Sequence, residues 1–218
     1  MHIGGTNHYS RNSIMLSATN LCCLRNEIQL FSNLSFSLEG GEILQVKGPN
    51  GSGKTSLLRL LCGLGAMESG EIRWQDQPVS ATRFNYLREI IYIGHNQGVK
   101  NELTVTENLV FFDALSEQPS QRPIDEIIRL FELDSLDDCP LHKLSAGQKR
   151  RVALARLMLH KKKLWILDEP QTALDSKGLT LLEQLYQNHI KEQGMIIVAT
   201  HHPIQLPATR IKTLTLGR

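Results

Sequence analysis

The sequence predicts one α/β domain with a parallel-sheet core and an inserted run of helices. Three observations predict it. A glycine-rich loop at 48–55 lies between a strand pattern and a helix pattern. Two unbroken apolar runs of strand length occur at Leu164–Leu167 and Met195–Ala199. Strand and helix patterns alternate along the chain. A strand covered on both faces loses its polar alternation, so such runs belong to a parallel sheet between helix layers.

Taken in order, Met1–Ser13 is polar and aperiodic, and residues 1–14 read as a disordered tail, with Met15 an alternative start. Ile14–Cys22 and Gln29–Leu38 read as early strands; Asn33–Leu38 alternates polar and apolar, the period of a half-buried strand. Glu39-Gly40-Gly41 turns the chain into a short strand at Glu42–Lys47. Ser56–Leu61 opens a helix that ends near Gly63. Gly70–Trp74 and Ile90–Ile93 read as strands. Thr104-Val105-Thr106-Glu107 fits a capping box opening a helix through Phe112. Ile124–Leu133 has helical spacing, and a long helix runs from Ser145 to about His160. The expected domain is 15–218, with a core lobe at about 15–94 and 161–218 and a helical lobe at about 95–160.

The composition is ordinary for a globular chain: 218 residues, 41% hydrophobic and 21% charged. That excludes a disordered or low-complexity protein. With 24 Lys plus Arg against 22 Asp plus Glu, the net charge of +2 gives no reason to expect a nucleic-acid partner. No apolar run approaches the roughly 18 residues of a membrane-spanning helix. The expectation is a chain soluble by itself that reaches a membrane through a partner. The N-terminus lacks the pattern of a signal peptide. Cys22, Cys23, Cys62 and Cys139 lack metal-ligand spacing and read as reduced thiols.

Gly48-Pro49-Asn50-Gly51-Ser52-Gly53-Lys54-Thr55 matches G-x-x-x-x-G-K-[ST] in the required strand–loop–helix context. Its glycines let successive backbone N–H groups face phosphate oxygens, and the following helix offers its positive N-terminus. Lys54 can reach the β- and γ-phosphates of a nucleoside triphosphate, and the Thr55 hydroxyl can ligate Mg²⁺. Ser56 opens the helix behind the loop. Leu164–Leu167 ends in Asp168-Glu169; Asp168 can hold Mg²⁺ through water, and Glu169 can polarise an attacking water.

Leu144-Ser145-Ala146-Gly147-Gln148 resembles L-S-G-G-Q, the signature of the ABC ATPase family, with Ala146 in place of one glycine. The resemblance implies a P-loop NTPase (ABC ATPase) core with an antiparallel β edge and an inserted helical lobe. It implies that Ser145, Gly147 and Gln148 meet the ATP of a second copy, two copies enclosing two nucleotides. Asp175, in Thr172-Ala173-Leu174-Asp175, falls where the family has its D-loop. His201 falls where the family has a switch histidine beside the γ-phosphate. The basic run Lys149-Arg150-Arg151 reads as a solvated face next to the signature.

Two positions depart from the family. The Q-loop register places His95 where a glutamine is expected, with Gln97 two residues late; His95 is taken as the functional residue. Near residue 25, where an aromatic usually stacks on adenine, the chain has Arg25, which can lie flat on a base. Together with Tyr92-Ile93-Gly94-His95 and Leu164-Trp165-Ile166-Leu167-Asp168-Glu169-Pro170, these features resemble the ATPase subunits of haem exporters in bacterial cytochrome c maturation. That likeness implies integral membrane subunits as partners, a place on the cytoplasmic face of the bacterial inner membrane, and ATP hydrolysis that releases a haem-loaded chaperone. Direct haem contact is not expected, because no C-x-x-C-H occurs. An ABC ATPase for another cargo, or a soluble one outside transport, stays open at this point.

Overall fold

The computed structural model describes residues 15–117, 119–204 and 210–217, so the expected tail lies outside the described residues. The chain begins with a long hairpin, β1 (Met15–Arg25) and β2 (Ile28–Glu39). Asn26 and Glu27 turn it with φ of 49° and 65°, the left-handed pair that matches strand twist in a two-residue hairpin. β3 (Glu42–Lys47) leads into the glycine loop and α1 (Lys54–Leu61). β4 (Ser69–Trp74) and β5 (Gln77–Pro78) complete a four-stranded antiparallel sheet of order β2-β1-β4-β5.

After α2 (Arg83–Glu89) and β6 (Ile90–Ile93) come three helices, α3 (Val105–Ala114), α4 (Ile124–Leu130) and α5 (Ala146–Ala155). β7 (Leu164–Asp168), α6 (Ser176–Lys191), β8 (Met195–Ala199) and β9 (Arg210–Thr215) finish the chain. The second sheet is parallel throughout, in the order β6-β7-β8-β3-β9.

The two apolar runs are buried on both faces, as expected. In β7, Leu164 and Ile166 face one core with α1 and the antiparallel sheet, while Trp165 and Leu167 face the other with α5 and α6. In β8, Met195, Ile197 and Ala199 alternate with Ile196 and Val198 in the same way. The second core runs on without a break onto α3 and α4 through Val105, Leu109, Ile127 and Phe131.

Some expectations need correction. The helix from Ser145 is α-helical only to Ala155 and tightens to a 3₁₀ turn over Arg156–Met158. The helix at 124 ends at Leu130, because the chain turns with Glu132 at φ 53°. Neither α2 nor α6 is among the expected elements. α6 buries Gly178, Leu182, Leu185 and Tyr186, a single stripe at i, i+4, i+7 and i+8. The capping box at Thr104 is present: its side chain accepts from the Glu107 N–H at 3.1 Å, and Glu107 accepts from the Thr104 N–H at 2.8 Å.

One core feature carries a pH prediction. The His189 ring of α6 stacks on Trp165 at 3.9 Å between centroids, and a Cβ on Gly194 would lie 2.3 Å from that ring. Burial pushes the imidazole pKa down to about 4, and hydrogen bonds to the Met195 and Lys163 carbonyls only partly oppose it. The folded protein therefore holds His189 neutral where the unfolded chain, near 6.5, takes up a proton. Stability is unaffected above pH 6.5 and falls between pH 6.5 and 4, by at most about 3 kcal/mol from this group. Denaturant midpoints across that window should flatten in His189→Gln; an unchanged slope would count against it.

Candidate nucleotide site

The parallel sheet assembles the site by strand order. β8 lies between β7 and β3, so the carboxyl ends of three adjacent strands deliver Asp168-Glu169, Thr200-His201 and Gly48 to one place. Open parallel sheets bind ligands at that end.

The loop from Gly48 to Gly53 needs its glycines. Gly48 sits at φ 149°, and a Cβ there would meet the Leu216 carbonyl oxygen at 2.2 Å and Ser52 Oγ at 2.6 Å. Gly53 caps α1 at φ 97° with no side-chain bond, so the first helical amides are left for an external acceptor. Leu30 and Phe31 of β2 press on Gly53, which places the β1–β2 hairpin against the loop. Arg25 is exposed at the tip of that hairpin.

Ser52 Oγ is buried in the loop with no hydrogen-bond partner among the described residues. An orphan hydroxyl beside free helical amides fits a bound phosphate. Lys54 is only 8% exposed; its Nζ donates to the carbonyls of Gly48 at 2.7 Å and Pro49 at 3.1 Å, which bends the ammonium back over the loop. Thr55 Oγ1 donates to Asp168 Oδ2 at 2.8 Å. A hydroxyl and a carboxylate side by side form a hard oxygen pair, suited to Mg²⁺ that keeps waters and phosphate oxygens as its other ligands.

Glu169 follows with φ 48°, a left-handed backbone for a side chain with a Cβ. Its N–H donates to the Ala199 carbonyl at 2.9 Å, across from β8. His201 Nε2 lies 3.2 Å from Lys54 Nζ, 3.3 Å from Asn50 Oδ1 and 3.5 Å from Glu169 Oε1. Deprotonated, that nitrogen accepts from the lysine; protonated, it donates to the two oxygens. Lys54, Thr55, Asp168, Glu169 and His201 thus form one constellation.

The signature residues form another. Ser145 caps α5: its Oγ accepts from the Gln148 N–H at 3.2 Å, and Gln148 Oε1 accepts from the Ser145 N–H at 2.8 Å. A cavity of about 350 Å³ is lined there by Glu132, Ser145, Gly147, Gln148, Arg151 and Asp175, among others, and by no phosphate-loop residue. A Cβ on Gly147 would lie 2.6 Å from the Ala173 carbonyl oxygen, so this glycine cannot be exchanged freely. Ala146 is exposed, which is why its methyl is accommodated. His95 is exposed in a turn closed by the Gln97 N–H to the Gly94 carbonyl at 3.1 Å, beside Ala146 and Lys149. The Gln97 carbonyl is tied to Arg156 at 2.9 Å.

The family model described as ABC transporter matches residues 31–172 of this chain. The chain belongs to the ABC transporter family. It is an ATP-binding, ATP-hydrolysing domain of that family. A curated relative, the cytochrome c biogenesis ATP-binding export protein CcmA of Vibrio cholerae serotype O1, is 44% identical over 93% of this chain and 99% of its own length. The protein of the same name from Aliivibrio fischeri is 40% identical over 93% of this chain and all of its own length. Among solved structures, a putative ABC transporter ATP-binding protein from Pyrococcus furiosus superposes with a TM-score of 0.76 at 23% identity, over 93% of this chain and 97% of that one. That likeness shows the fold. The cbiO1 protein of Clostridium perfringens, part of an ABC transporter complex, gives 0.68 at 26% identity over 87% of this chain and 79% of its own.

The basic run of this ABC ATPase is not the solvated face expected of it. Arg150 is 1% exposed, and Arg151 is nearly covered, so the run is no solvated face. Arg151 bonds Asp175 at 2.8 Å, Glu132 at 2.7 Å and the Phe131 carbonyl at 3.1 Å, joining α5, the turn after α4 and the start of α6. The Gly178 N–H first, and Arg151 second, hold the Asp175 carboxyl below the usual range. No periodicity marks these arginines, because α5 is buried on more than one side.

Proposed function

We propose that this chain is the ATP-hydrolysing subunit of a membrane exporter of cytochrome c biogenesis. The similarity to the CcmA export proteins, nearly end to end in both chains, is the observation that carries this reading. This reading attaches the chain to integral membrane subunits on the cytoplasmic face of the bacterial inner membrane; among the described residues no helix is long and apolar enough to cross a membrane. ATP hydrolysis there releases a haem-loaded chaperone on the other side.

Two copies pair so that Ser145, Gly147 and Gln148 of one face the phosphate loop, Gly48–Ser56, of the other. That no phosphate-loop residue lines the cavity at Ser145 supports this arrangement. Core lobe (15–94 and 161–218) and helical lobe (95–160) are its working units. Lys54 neutralises the β- and γ-phosphates, and Arg25 covers the base. Thr55 and Asp168 would hold Mg²⁺, which would supply charge neutralisation at the phosphates. Glu169 takes the proton of the attacking water, and His201 fixes that carboxylate and the γ-phosphate relative to each other. Asp175 carries the state of one copy to the other, and His95 links the site to the membrane subunits.

The test is co-purification from membranes followed by phosphate-release assays on the complex. Subunits of a cytochrome c maturation exporter should co-purify, and His95→Ala should slow hydrolysis more than Gln97→Ala does. Co-purification with subunits of an unrelated transporter rejects the exporter assignment. The reverse ranking of the two variants shows that His95 is structural.

A further inference from the structure

The signature helix carries a cation that no motif accounts for. Arg150 is 1% exposed, yet among the described residues its terminal nitrogens meet carbonyls and no carboxylate. Nη1 donates to the Gly94 carbonyl at 3.3 Å, and Nη2 to the Glu169 carbonyl at 3.0 Å. Its Nε is buried without a partner among the described residues. Burial pushes the guanidinium pKa down, and the charges of Asp168 and Glu169 push it back up. An apolar side chain of the same volume avoids that desolvation, so stability alone is a poor reason for an arginine here.

The guanidinium does something an apolar residue cannot. Its planar fork spans two carbonyls from separate segments. One belongs to Gly94, the residue before His95. The other belongs to Glu169, whose left-handed backbone must be held against its own preference. That same Glu169 carbonyl also accepts from the Thr172 N–H at 3.1 Å, so the fork and the D-loop grip one peptide. The arginine itself rides on α5, whose first residues are the signature.

We propose that Arg150 is a positioning residue for hydrolysis: it clamps the backbone of Glu169 and the start of the 94–97 turn to the signature helix, aiming the carboxylate only when all three segments are in place. This rests on Glu169 as the carboxylate that polarises water. Arg150 touches none of the phosphate loop contacts described above, so its effect belongs to the chemical step and not to ATP binding.

The experiment compares Arg150→Met, Arg150→Lys and Glu169→Gln in the complex with its membrane subunits, reading phosphate release against ATP concentration together with the thermal midpoint. Arg150→Met fills the volume without a charge. It should lower kcat about 10- to 100-fold, the scale of a misplaced catalytic group, with KM for ATP within about two-fold and Tm unchanged or higher. Arg150→Lys keeps the charge, but a single ammonium cannot span both carbonyls; kcat should fall by about five-fold or more. A wild-type kcat in Arg150→Lys overturns the proposal, whether or not Arg150→Met assembles. So does a loss in Arg150→Met that tracks a fall in Tm or appears in KM. If Glu169→Gln is inactive and both Arg150 variants are normal, only this inference fails. If Glu169→Gln is fully active, the reading of Glu169 fails with it.

Discussion

Glu169→Gln should slow ATP hydrolysis by the complex about 10²- to 10⁴-fold, the range for losing a general base. The exchange is nearly isosteric. Its backbone holds at φ 48° through bonds that the side chain does not make, from the Glu169 N–H to Ala199 and from Arg150 and Thr172 to the Glu169 carbonyl. An amide oxygen still accepts a hydrogen bond 3.5 Å from His201 Nε2, but it cannot take a proton from water. ATP binding should therefore persist, and ATP should hold two copies in a closed pair that size-exclusion chromatography detects. Hydrolysis near the wild-type rate would remove Glu169 from its role and leave the constellation without a base.

Lys54→Ala should weaken ATP binding, with hydrolysis lost in parallel. Lys54 is almost wholly buried at 8% exposure, so its ammonium acts at short range and little screened. Its Nζ donates to the Gly48 and Pro49 carbonyls, over the loop proposed to cradle phosphate. A charge-assisted hydrogen bond contributes about 1.5–3 kcal/mol, so affinity should fall by roughly 10- to 100-fold. Titration of a labelled ATP analogue measures it directly. Full-strength binding by the variant would mean that this loop does not cradle phosphate.

How much of the site could be read from residues alone follows from which contacts are local. The glycine-rich loop, the strand ending in Asp168-Glu169 and the capping box at Thr104 are short segments whose pattern lies in their own spacing, and the structure has a loop, a strand and a capped helix there. The apolar runs Leu164–Leu167 and Met195–Ala199 announced a sheet covered on both faces because burial on both sides needs no polar alternation. α6 went unassigned although Leu182, Leu185 and Tyr186 repeat at helical spacing; its exposed face is long and polar.

Tertiary structure decided the rest. Strand order, with β8 between β7 and β3, brings His201 within 3.5 Å of Glu169 and 3.2 Å of Lys54, residues far apart in the chain. It also reversed the reading of Arg150 and Arg151. Whether an arginine is solvated depends on what packs over its helix, and here the partners, Gly94, Glu169 and Asp175, come from distant segments. A motif is legible when its chemistry is contained in consecutive backbone. A buried cation bridging carbonyls from separate elements leaves no period in the sequence, because the requirement it meets exists only after those elements have packed.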